Sequence, residues 1–136
     1  MSIAALKIAL ESAIKTNLGT FPIAWENMSF IPPTDGGAFA SVFILPATPA
    51  NPTFGSSFHR EVGLIQVTLN YPIDGGSGKV YVKAETVRDS FKRGTTFTSG
   101  GITVHVQGTP AIGPGIVQGN RYTLPIRINY FANVEE

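Results

Sequence analysis

A chain of 136 residues and 14.5 kDa holds one ordinary domain, because domains mostly run to about 100–150 residues and a second core would not fit. Lys and Arg total 10 and Asp and Glu 9, for a net charge of +1, which excludes a nucleic-acid binder working by bulk positive charge. The absence of cysteine excludes disulfide frameworks, thiolate zinc sites and cysteine nucleophiles. Charged residues make up only 14% of the chain, against about 25% in an average soluble domain. Either uncharged polar groups cover the surface, or part of it is destined for burial in an assembly, since interface cores are depleted in charge.

Read from the N-terminus, Ile3, Leu6, Leu10, Ala13 and Ile14 recur at spacings of three and four. With Ser2 as N-cap and Gly19 and Pro22 beyond the end, this predicts an amphipathic helix. Lys7 and Glu11 interrupt its apolar run and no small-residue cleavage site follows, so it does not read as a signal peptide. No apolar run reaches the ~18 residues of a membrane span, and a soluble protein is expected. A short extended piece at Ile23 to Glu26 precedes Pro32, Pro33, Gly36 and Gly37. The run Ala38 to Leu45 is apolar on both alternating faces and reads as an interior strand.

Three prolines and a Gly-Ser-Ser make Pro46 to Phe58 a long projecting loop. Beyond it, Ile65, Val67, Leu69 and Tyr71 alternate with Gln66, Thr68 and Asn70, a strand with one wet face that forms a hairpin with its predecessor. A turn over Asp74 to Gly78 leads into a second helix, where Val80, Ala84, Val87 and Phe91 recur until Gly94. Thr95 to Thr98 and Ile102 to Val106 flank Ser99-Gly100-Gly101 as another hairpin. A Gly and Pro loop precedes a last alternating strand with Tyr122, Leu124, Ile126, Ile128 and Tyr130, in which Pro125 suggests an edge or a bulge. The order helix, three strands, helix, three strands predicts a single α+β domain over residues 1–136. Its mainly antiparallel or mixed sheet has about five to six strands and carries both helices on one face.

Motifs of chemistry are weak throughout. Gly75-Gly76-Ser77-Gly78-Lys79 resembles a phosphate loop, but the Walker pattern needs Gly where Ile73 stands and Ser or Thr where Val80 stands. His59 and His105 have no acidic or histidine neighbour at metal-ligand spacing, and no Gly-x-Ser-x-Gly elbow exists. Glu85 and Asp89 share a helix face among Arg88, Lys92 and Arg93, which reads as a solvated face with local ion pairs. No catalytic residue, metal or cofactor is predicted. Lys79, Lys83, Arg88, Lys92 and Arg93 form the densest basic stretch, either a solvated face or a contact for an acidic partner or passing phosphates. The loop Pro46 to Phe58, which holds Phe54 and Phe58, is either flexible or ordered by a partner or neighbouring subunit.

Several segments together resemble the tail terminator proteins of long-tailed bacteriophages. They are the opening helix, Ile23-Ala24-Trp25-Glu26-Asn27 with Pro32-Pro33, Phe91-Lys92-Arg93-Gly94-Thr95, Gly100-Gly101-Ile102-Thr103-Val104, Gly113-Pro114, and the strand from Tyr122 through Leu124-Pro125 to Arg127-Ile128. The resemblance is one of layout over nearly the whole chain. It implies a structural protein, not an enzyme, that forms a homohexameric ring on the tail tube, stops its polymerisation and offers a surface for head-tail joining. It also implies the tube protein and a head-completion or connector protein as partners, with DNA crossing the lumen without sequence-specific binding and no membrane partner. The location implied is the virion tail, assembled in the bacterial host cytoplasm. Candidate interface residues are Phe54, Phe58, Arg60, Lys79, Lys83, Arg88 and Arg93. Another neck or minor tail component, or more remotely a small ligand-binding module, is the alternative reading.

Overall fold

A computed structural model describes residues 3–19, 21–26, 28–30, 37–50, 58–73 and 76–135; Ser2 and Phe54 lie outside them, as do the side chains of Ile3, Phe58 and Glu135. The elements are α1 (Ile3–Leu18), β1 (Ile23–Trp25), β2 (Phe39–Pro46), β3 (Phe58–Pro72), α2 (Gly78–Ser90), β4 (Thr96–Ser99), β5 (Ile102–Val106), β6 (Ala111–Ile112), β7 (Ile116–Gln118) and β8 (Arg121–Glu135). They form one mixed sheet in the order β1-β2-β3-β8-β5-β4, with β6 and β7 also paired to β8. Only β1 and β2 run parallel; every other pairing is antiparallel. The α+β class and the two helices follow the sequence reading.

Register explains why one face is dry. Ala40 stands opposite Leu69 and Val42 opposite Val67; Leu69, Val67 and Ile65 stand in turn opposite Leu124, Ile126 and Ile128. With a side-chain period of two, all of these reach one side of the sheet. They join Leu6, Leu10 and Ile14 of α1 and Val80, Ala84 and Val87 of α2 in a single buried cluster. Both helices therefore cover the same face, called here the inner face.

Helix ends are set locally. Gly19 takes φ +60° and its N–H donates to the Lys15 carbonyl at 3.0 Å, the left-handed stop the sequence predicts. Helix α2 ends earlier than expected: Phe91 leaves the helical region and its N–H is shared between the Val87 and Arg88 carbonyls. Gly94 instead donates to the Val106 carbonyl, so it begins the docking onto β5 rather than ending the helix. The β4–β5 turn uses Gly100 and Gly101, at φ +60° and +81°. Two successive positive φ values are what a two-residue turn needs to match strand twist.

Three expectations need correction. Strand β3 begins at Phe58, seven residues before the alternation becomes clean, and Ala50 already bridges Arg60. Asn70, expected on a wet face, is buried, and its amide donates to the Thr68 carbonyl at 3.0 Å and Ser41 Oγ at 3.3 Å. Pro125 lies in the central strand, and the β3 ladder runs unbroken past it through Thr68. Its carbonyl accepts from Gly113 at 2.8 Å on the other side, so its missing donor also points there, between β6 and β7, where residues 113–115 leave the sheet. The Gly and Pro loop thus contains two short strands the sequence did not announce.

Candidate functional site

No catalytic constellation forms among the described residues, and no three of their His, Asp and Glu side chains gather where they could hold a metal ion. Of the expected turn before α2, Asp74 and Gly75 lie outside the described residues; Gly76 has φ +73° and Ser77 is the N-cap, without a side-chain cap bond. One polar pair escaped the sequence reading. Because β3 starts at Phe58, His59 and Glu61 fall two apart on one face of a strand, and Nε2 lies 2.9 Å from Oε1. Glu61 and, above all, burial push the Tyr130 hydroxyl above the ordinary tyrosine value. His105 stacks on Phe131 with centroids 4.8 Å apart, and Arg60 lies 4.6 Å from the same ring centroid while its Nε donates to Asn133 Oδ1. Arg60 therefore braces the sheet face on which it stands.

The basic residues of α2 do not form one stripe. At about 100° per residue, Lys79 and Lys83 fall on one flank of the helix and Arg88 on the other. Lys83 lies 4.6 Å over the Phe21 ring, and Arg88 Nε donates to the Pro110 carbonyl at 3.1 Å, tying α2 to the β5–β6 connection. Lys79 and Arg93 are exposed and, among the described residues, make no ion pair. The outward ridge between the flanks carries Val82, Glu85 and Asp89. The ion pairs expected for Glu85 and Asp89 do not form among the described residues, because Arg88 turns aside to Pro110 and Lys92 and Arg93 lie past the helix end.

The face of the sheet away from the helices is different in kind. It presents Phe43 and Leu45, 44% and 48% exposed, beside Leu64, Gln66 and Arg127, which the register places alongside them. Arg60, Arg121 and Arg127 stand on it, whereas Glu61 of β3 falls by register on the inner face. A third surface is a groove of about 420 Å³ between α1 and β1, lined by Lys7, Ile8, Glu11, Lys15, Trp25 and Met28, with Lys7 and Glu11 paired at 3.3 Å. No helix among the described residues is long and apolar enough to cross a membrane.

No curated protein matches the chain. A solved structure is 24% identical, covers 100% of this chain and 99% of its own, and superposes with a TM-score of 0.80, which establishes the shared fold. A family model described as phage tail terminator protein matches residues 3–130. With that match running through every element from α1 into β8, the chain belongs to the phage tail terminator family and is a structural component of the phage tail.

Proposed function

We propose that this subunit ends the tail tube: copies assemble side by side into a ring, six by resemblance to the family, on the last ring of tube subunits. They bury uncharged surface against it and turn outward a face that a further tube subunit cannot match, so growth stops. The outward face then receives a head-completion or connector protein, and DNA passes through the lumen. Assembly takes place in the host cytoplasm. The observation that carries this reading is the family match over residues 3–130, and the exposed Phe43 and Leu45 in a charge-poor chain support it.

Among the candidate interface residues, Lys79 and Arg93 remain available for an acidic partner, while Lys83, Arg88 and Arg60 hold the subunit itself together. Phe54, and Phe58 where the long loop enters β3, belong to the proposal as tube or ring contacts. Replacing both by Ser leaves a folded monomer that fails to cap tubes; undiminished capping removes the loop from the account. Mass by light scattering over a concentration series tests the ring: a closed species of six subunits is expected, and a stable dimer at every concentration contradicts it.

A further inference from the structure

We propose that neighbouring copies meet through unlike surfaces: the outward ridge of α2 on one copy docks against the helix-free face of the sheet on the next. This rests on the reading of the chain as a ring subunit and names the surfaces that would close it. The ridge carries Val82, 66% exposed, with Glu85 and Asp89 exposed beside it. Two carboxylates four residues apart repel one another along a helix, and neither has a cation within ion-pair distance among the described residues. The sheet face offers the complement: Phe43, Leu45 and Leu64 as apolar area, and Arg127, exposed and without an ion pair or hydrogen bond among the described residues. A guanidinium suits this place because its planar fork of donors matches carboxylate geometry.

The basic residues of α2 do not oppose this pairing. Lys83 is turned to Phe21 and Arg88 to Pro110, one on each flank, and Lys79 shares the flank of Lys83, which leaves the ridge itself acidic. Since both helices pack on the inner face, the ridge and the outer sheet face look away from each other, and one copy cannot bring its own two surfaces together. The contact is therefore head-to-tail, the kind that generates rings when the rotation between copies closes.

The chain contains no cysteine, so single engineered thiols report the contact without background. Val82→Cys and Phe43→Cys proteins, mixed and mildly oxidised, are expected to give mainly cross-links between the two variants. Cross-links formed chiefly within either variant alone, or none up to the solubility limit, overturn the proposal. Arg127→Glu is expected to weaken self-association roughly tenfold or more, as is the double change Glu85→Lys with Asp89→Lys. Combining all three changes in one chain restores it. Unaltered association of the charge-reversed proteins, folded by circular dichroism, contradicts the pairing. Arrest of tube growth by the unmodified chain judges the capping role separately. Arrest that persists undiminished in the charge-reversed proteins removes these surfaces and keeps the cap, while heterotypic cross-links without arrest keep the surfaces and remove the cap.

Discussion

On the inner face of the sheet Ile65, Val67, Leu69, Leu124, Ile126 and Ile128 are at most 1% exposed; on the outer face, Phe43 and Leu45 of β2 stay nearly half exposed and arginines stand on the neighbouring strands β3 and β8. The two faces share one backbone and one hydrogen-bond ladder, so the difference lies wholly in the side chains. Burial of the inner set drives folding, at roughly 25 cal/mol per Å² of apolar surface removed from water. The outer set contributes little to folding and leaves apolar area uncovered, the area that the proposed contact between copies would bury.

This contrast can be broken most severely from the inside. Phe91 is 1% exposed and packs edge-on against Phe97, with centroids 6.2 Å apart. Phe91→Ala is expected to cost about 3–5 kcal/mol in urea unfolding, the range for emptying a buried aromatic site. Gly63→Ala comes next. A Cβ there would stand 2.6 Å from the Leu45 carbonyl and 2.8 Å from the Tyr130 hydroxyl, and the first is backbone that cannot swing aside. A loss of about 1–3 kcal/mol is expected, as for other overpacked cores, and a midpoint within error of the parent would mean the strands part freely.

The buried Tyr130 adds a pH dependence. Burial and Glu61 both raise its folded value, so its proton is held more tightly in the native state, and its contribution is fully present below the ordinary value of 10.0 and lost as pH rises through the raised folded value. Alkaline titration of unfolding is expected to show stability falling from the ordinary value of 10.0 up to the raised folded value, with a shallower fall in Tyr130→Phe. The smallest effect belongs to the outer face: Phe43→Ser is expected to change monomer stability by under about 0.5 kcal/mol while weakening self-association. A loss as large as that of Phe91→Ala would erase the distinction between the faces.

Much of the inner face was legible because it obeys simple periods. Three- and four-residue spacing marks both helices, and strict alternation marks the strands at Ile65–Tyr71 and Tyr122–Tyr130. The missed parts obey longer-range rules. Phe58 to Leu64 carries His59, Arg60, Glu61 and Gly63 and looks like the end of a loop, yet pairing with β8 along its whole length holds it extended. Strands β6 and β7 are two and three residues long and exist only because β8 offers them an edge. Pro125 has meaning only once the gap between them is known. For the candidate site, sequence showed which cations cluster along α2 but not where they point. Lys83 and Arg88 find partners in Phe21 and Pro110, distant in the chain, and their departure uncovers the acidic ridge.

The most direct test follows tail-tube length by electron microscopy while tube protein of the same phage polymerises with the purified subunit present. Arrested tubes carrying the subunit as a closed ring at one end are the expected result. Tubes that go on lengthening at saturating subunit, with their ends bare, would contradict the terminating role.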